Sequence, residues 1–182
     1  MLPVLLWLSL LPVWGQEFDN LEEALRNPRE VEVLDLSRKN LDSLPAALFH
    51  FRNLQELDLS RNNLSSLPDS LPGWPKLTLL DLGKNDFTEI PSALSQLPNL
   101  KILKLNRNPV KQVPAYLNQF KALEELDLWN CEVKFVSEQI VKHPRLRILD
   151  LRQNFLGTRE LKWLFEAEPR FELKTTYGCD CN

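Results

Sequence analysis

The sequence predicts an α/β solenoid, with a parallel β-sheet on one face, a 3₁₀ or irregular return on the other, and short helical caps. The first observation is a leucine pattern, LxxLxLxxNxL, which is most regular in residues 54–64. The second is its period, because the same frame opens at residues 31, 54, 77, 100, 123 and 146 without insertion or deletion. A fixed period of about 20–50 residues is typical of units that stack and share one core.

The third observation is the alternation inside each repeat. Leu57 and Leu59 lie two residues apart, so both point to one side of a short strand, and Asp58 points to the solvated side. The returns carry proline after an apolar residue, which favours 3₁₀ or extended chain and excludes a long helix and a regular second sheet. These pairs are Leu44-Pro45, Leu67-Pro68, Ile90-Pro91 and Val113-Pro114.

One polar position recurs where each strand bends into its turn. It holds Asn62, Asn85, Asn108 and Asn154. A buried amide at such a bend can bond backbone groups that would each cost roughly 1–3 kcal/mol if left without a partner. Lys39 takes this position in the first repeat and Cys131 takes it in the fifth, and we expect Cys131 to be a buried structural thiol.

From Val31 to Pro169 these motifs resemble the leucine-rich repeat family, and residues 22–31 resemble the segment that precedes the repeats in exported bacterial members. The resemblance implies a curved right-handed coil with the sheet on its concave face. It also implies a non-catalytic module that binds a protein or peptide through that face and needs no cofactor. A fold does not by itself imply a function.

The sequence divides into four segments. Residues 1–15 form the expected signal peptide, 16–30 an N-terminal helical cap, 31–168 the six repeats, and 169–182 a C-terminal cap and tail. The first sixteen residues carry no charged side chain, and Val13 and Gly15 suit cleavage after Gly15. We therefore expect export to the periplasm, cell surface or medium, as a monomer. If the segment is not cleaved, it is an apolar helix on an intracellular adaptor, since it is too short to span a membrane.

Both caps have sequence signals of their own. Asp19 and Glu22 have the spacing of a capping box, which predicts a short amphipathic helix over the edge of the first repeat. At the other end, Gly157-Thr158 predicts a helix start and Pro169 its end, followed by a strand at 171–173. Trp163 and Phe165 in this helix are expected to cover the core and the edge.

Other classes of function find little support. The chain has 22 basic and 25 acidic residues, which gives no basic footprint for a nucleic acid. There is no glycine-rich phosphate loop and no metal-ligand spacing. His50 is expected in solvent and His143 at a packed return position. Cys179 and Cys181 are too isolated to predict a metal site or a disulfide.

Candidate binding residues emerge where repeats four to six depart from the pattern. An aspartate column and an arginine and lysine column run along the strands, and we expect them to neutralise each other. Against that background, the predicted contact residues are Ile102, Lys104, Asn106, Arg107, Trp129, Ile148, Arg152 and Phe155. Exposed Trp and Arg are enriched in binding hot spots. Trp129 has two further interpretations, as a platform for a glycan or as a residue packed over Cys131 or Ile102.

Overall fold

A computed structural model describes residues 17–176. Its main element is an eight-stranded parallel sheet. In spatial order the strands are β1 Glu17–Phe18, β2 Val33–Asp35, β3 Glu56–Asp58, β4 Leu79–Asp81, β5 Ile102–Lys104, β7 Glu125–Asp127, β9 Ile148–Asp150 and β10 Glu172–Lys174. From β2 to β9 each strand pairs with the next 23 residues on, as in Leu34 with Leu57. The predicted leucine-rich repeat solenoid is confirmed.

The core lies beneath this sheet. In the second repeat, Leu57 and Leu59 are buried and Asp58 is half-buried on the outer face, as the alternation predicts. Equivalent leucines in successive repeats stack into one continuous apolar cluster. Such stacking places side chains of the same sequence offset in rows across the sheet, about 4.8 Å apart.

The returns are mostly 3₁₀ helices, at Ala46–His50, Ser92–Gln96, Ala115–Gln119 and Glu138–Lys142. The second repeat instead has an extended return with Gly73 at φ 72°. There Trp74 is 2% exposed and its indole Nε1 donates to the Leu48 carbonyl at 3.2 Å.

The expectation that proline excludes a regular sheet from the return side is wrong at one boundary. Strands β6, Gln112–Val113, and β8, Phe135–Val136, pair in parallel there. Pro114 follows β6, so its missing N–H falls outside the pair. Ser137 stands where the other repeats have proline, and its N–H donates to the Val113 carbonyl at 2.9 Å.

The N-terminal cap differs from its prediction in two respects. Helix α1, Leu21–Ala24, is capped by Asn20 rather than Asp19, because the Asn20 side chain accepts from the N–H groups of Glu22 and Glu23. The predicted capping box is therefore absent. In addition, β1 extends the sheet ahead of the first repeat and pairs with β2.

At the other end, helix α2, Thr158–Glu166, begins after Gly157, and β10 pairs with β9, as expected. Trp163 packs against the core, but Phe165 is 51% exposed, so its predicted role as cover is wrong. Phe165 follows Leu164, which is buried, and helical geometry turns successive side chains by about 100°.

Asn62, Asn85 and Asn108 form a continuous hydrogen-bond network between repeats, as expected. The Asn85 Oδ1 accepts from the Leu64 N–H, while its Nδ2 donates to the carbonyls of Leu59 and Leu82. Each of these carbonyls also accepts a bond from a second asparagine, Asn62 or Asn108. Neighbouring asparagines therefore share acceptors across repeat boundaries.

Cys131 interrupts this network. It is 4% exposed, and its thiol donates to the Leu105 carbonyl at 3.3 Å, a weaker bond than an amide would make. Burial raises the pKa of Cys131 to about 11, with Asp127 adding to the increase, so the thiol stays protonated at neutral pH. The expectation of a buried structural thiol is confirmed.

His143 is packed as predicted, and His50 is exposed. The His143 Nδ1 accepts from the Leu146 N–H at 2.9 Å, so Nδ1 carries no proton. Its Nε2 lies 3.2 Å from the Phe120 carbonyl and acts as the donor of that pair. Burial lowers the pKa of His143 below its ordinary value, which favours the neutral ring.

Candidate binding face

The aspartate column is part of the turn architecture. The carboxylate of Asp35 accepts from the N–H of Ser37 two residues on, and Asp58 does the same for Ser60. The same short-range bond forms at Asp81, Asp127 and Asp150. A side chain that bonds its own backbone in this way stabilises the turn after the strand. These carboxylates are therefore occupied by structural bonds.

The expected neutralisation of this column by the neighbouring cations is wrong. Among residues 17–176, no ion pair joins the aspartates to Arg38, Arg61, Lys84 or Arg107. Arg38, Arg61 and Arg107 are exposed along one margin of the sheet, and Lys84 is half-buried there.

Two of the predicted contact residues make ion pairs within the face. The Lys104 Nζ lies 3.5 Å from an Asp81 carboxylate oxygen, and the Arg152 Nε lies 3.0 and 3.1 Å from the two oxygens of Asp150. Burial raises the pKa of Asp81, against the opposing effects of the Gly83 N–H and Lys104. Lys104 and Arg152 are therefore each oriented toward an aspartate on the same face.

Trp129 and Arg107 form a stacked pair. The Arg107 guanidinium carbon lies 4.5 Å from the centre of the Trp129 ring, within the range of a cation–π interaction. The Arg107 N–H also donates to the Trp129 carbonyl at 2.9 Å, which aligns the two residues across adjacent repeats. Trp129 is half-buried and Arg107 is exposed, so the pair presents a flat, charged edge to solvent.

Apolar side chains lie at the start of the strands on either side of Trp129's repeat. Ile102 and Ile148 are half-buried on β5 and β9, one on each side of Glu125. Asn106 bridges toward the middle strand, since its Nδ2 donates to Asp127 at 2.9 Å. Gly83 leaves room for the Asn106 side chain, because a Cβ at position 83 would lie only 3.0 Å from the Asn106 Oδ1.

Phe155 lies at the turn beyond the sheet and is 64% exposed. Its backbone N–H donates to the Val133 carbonyl, and the Lys134 Nζ lies 6.0 Å from its ring centre. Phe135, which was not among the predicted residues, is 53% exposed in β8. Its apolar type after a lysine, outside the leucine frame, is the signal that could have identified it.

A separate cleft of about 640 Å³ lies before β9, at the opposite ends of the strands. Three exposed cations, Lys142, Arg145 and Arg170, contribute to its lining. Its carboxylate, Glu124, already pairs with Arg147 and Lys101 at 3.5 and 3.8 Å. None of the predicted contact residues lies in this cleft.

Comparisons with known proteins agree with this architecture. A family model described as leucine rich repeat matches residues 29–87 and, in a second overlapping position, 52–110. A leucine-rich repeat protein of Leptospira interrogans is 28% identical, with a TM-score of 0.62 over 87% of this chain and 46% of its own. Internalin C2 of Listeria monocytogenes is 22% identical, with a TM-score of 0.65 over 89% of this chain and 68% of its own.

This chain thus spans about half the length of the Leptospira protein. No curated protein matches the chain. The repeat motif, the parallel sheet and the matches together support a leucine-rich repeat protein. Members of this family are in general non-catalytic repeat modules that bind proteins. No helix within residues 17–176 is long and apolar enough to cross a membrane. The predicted signal peptide, Cys179 and Cys181 lie outside the described residues.

Proposed function

We propose that this protein is exported and binds a protein or peptide segment through the concave face of repeats four to six, without catalysis. The observation that carries the proposal is the Arg107–Trp129 stack, on the same face of the sheet as the half-buried Ile102 and Ile148. Aromatic and arginine side chains held rigidly beside apolar surface are the usual composition of hot spots. Rigid placement also lowers the entropy lost when a partner binds.

The ion pairs support the same interpretation. Lys104 and Arg152 are each oriented by an aspartate, so their charges are presented in fixed geometry. A free cation would have to be ordered by the partner, which costs side-chain entropy. Phe155, which is 64% exposed, extends the surface toward the turn edge. That extension is useful because the sheet face alone is smaller than the roughly 800 Å² per partner of a standard interface.

Affinity capture with matched variants tests the binding proposal. The first variant combines Lys104→Ala, Trp129→Ala and Arg152→Ala. The control combines Arg52→Ala, Lys76→Ala and Phe165→Ala, which removes two exposed cations and one exposed aromatic elsewhere. We expect partners recovered by the wild type to be retained by the control and lost by the first variant. Equal recovery by both variants would refute the assignment of this face.

Export is tested separately by mass spectrometry of the mature N-terminus after expression in a secreting host. A mature chain that begins at Gln16 supports export, and an intact Met1 in a soluble cell fraction favours the intracellular adaptor. A glycan ligand is the weaker candidate, because Arg107 already covers one face of the Trp129 ring that a sugar would use. Binding to a glycan array that is lost in Trp129→Ala would overturn this ranking.

A further inference from the structure

The row Arg38, Arg61, Lys84 and Arg107, here called the basic ladder, has a regular backbone arrangement. Each residue lies three positions after the end of its strand. The Arg38 N–H donates to the Ser60 carbonyl, and equivalent bonds of 2.8–2.9 Å tie Arg61, Lys84 and Arg107 to the following repeat. The ladder therefore repeats at the strand spacing of about 4.8 Å, and its four members span roughly 14 Å.

Every member of the ladder has a left-handed backbone. Their φ angles are 57°, 57°, 54° and 58° in chain order. A Cβ makes this conformation unfavourable, and asparagine and glycine are the residues that tolerate it best. The fifth repeat follows that preference with Asn130, at φ 54°. The first four repeats instead place a long cation at a position where local stability favours asparagine.

The ladder also concentrates like charge. None of its members has an ion-pair partner within residues 17–176. The pKa of Lys84 is lowered by desolvation and then by the charges of Arg107, Arg61 and Arg38. Long cations in an unfavourable backbone conformation, without an ion-pair partner within residues 17–176, are a pattern that points to function more readily than to scaffold.

We infer that the basic ladder binds an extended acidic segment of the partner protein, with glutamate or aspartate side chains at alternate positions. In an extended chain such side chains lie about 6.8 Å apart on one side, so three of them cover the ladder. Long arginine side chains can absorb the difference between the two spacings. The inference rests on the proposed function and adds the chemistry of the partner.

The end of the ladder indicates the orientation of this segment. Arg107 belongs to both the ladder and the stack with Trp129. An acidic segment that follows the ladder therefore reaches the Trp129 ring. The structure thus favours a partner sequence in which acidic residues adjoin an apolar or aromatic residue.

The probe is a fluorescein-labelled (Glu-Ser)₄ peptide, measured by fluorescence anisotropy at low salt, with (Gln-Ser)₄ as its uncharged counterpart. The ladder variant combines Arg38→Asn, Arg61→Asn and Lys84→Asn, and asparagine suits the left-handed backbone, so folding is retained. The control variant combines Lys142→Gln, Arg145→Gln and Arg170→Gln in the separate cleft. Both variants remove two arginines and one lysine.

We expect the ladder variant to weaken binding of the glutamate peptide by about tenfold or more, as three exposed ion pairs predict. Its salt dependence should fall, whereas the control variant should bind as the wild type does. Equal losses in both variants, or a larger loss in the control, would show a general charge effect and overturn the inference.

Two further outcomes also count against it. A wild-type protein that does not distinguish the glutamate from the glutamine peptide overturns the inference, while the capture experiment still decides the proposed function. A sulfated oligosaccharide that binds the ladder more tightly than the peptide overturns the choice of an acidic protein segment.

Discussion

Removing adjacent asparagines from the network should cost more free energy of unfolding than the single changes predict. Asn85→Ala leaves the buried Leu64 N–H without an acceptor, while the Leu82 carbonyl keeps its bond from Asn108. We expect a cost of about 2–4 kcal/mol, from one orphaned donor and the lost amide bonds. Asn62→Ala should cost a similar amount.

The double variant Asn62→Ala/Asn85→Ala differs from the single variants because Asn62 and Asn85 both donate to the Leu59 carbonyl, at 2.9 and 3.0 Å. Either single change leaves one donor, and the double change leaves none. We therefore expect a coupling of about 1–3 kcal/mol beyond additivity. Asn85→Ala combined with Asn154→Ala is the control, because these two residues share no backbone partner.

The assay is urea unfolding monitored by tryptophan fluorescence, with trimethylamine N-oxide at fixed concentration to keep the double variants folded. The slope of unfolding free energy against urea concentration must be the same in all variants, because repeat proteins can unfold in parts. The reasoning fails if the adjacent pair is additive within about 0.5 kcal/mol, or if the distant pair shows the same coupling.

Three further predictions concern single buried residues. Cys131→Asn should raise the free energy of unfolding in urea by about 1–2 kcal/mol. The new amide Oδ1 can accept from the Val110 N–H, just as the Asn108 Oδ1 accepts from the Phe87 N–H. A loss of stability would contradict this prediction. Iodoacetamide at pH 8 should alkylate Cys131 far more slowly in the folded protein than in urea, because a pKa of about 11 leaves little thiolate in the folded protein. Peptide mapping measures the alkylation rate of Cys131 separately from the rates of the other cysteines. For His143, the lowered folded pKa means that its contribution to stability is complete above its ordinary value of 6.5 and is lost as pH falls below it. His143→Phe should therefore flatten the dependence of unfolding free energy on pH between about 7.5 and 5.5, and an unchanged slope would refute that assignment.

The repeat frame could be predicted because it depends on apolar periodicity. Leu57, Leu59 and the equivalent residues of the other repeats are buried for the same reason. Their spacing alone determines which face of the strand they occupy. The asparagine network was predictable as well, since a polar residue at a buried bend needs backbone partners. Here a local pattern and its structural consequence coincide.

The binding face was harder to predict because its details depend on competition between bonds. The expected pairing of aspartates with arginines assumed free carboxylates, whereas Asp58 is held by the Ser60 N–H two residues on. The left-handed backbone of Arg61 is also not visible in the residue type, which ordinarily avoids it. The identity of the stacked pair, Arg107 with Trp129, follows from cross-repeat alignment rather than from either residue alone.

The boundary between the fourth and fifth repeats shows how a solenoid tolerates the loss of one of its repeated bonds. Cys131 weakens the network on the turn side of this boundary. On the return side, the same two repeats gain the β6–β8 pair, including a bond from Ser137 to Val113. The defect and its compensation lie at opposite margins of one repeat interface. Cohesion of the array is thus redundant, and a sequence can change at one margin, next to Trp129, while the other holds the stack together.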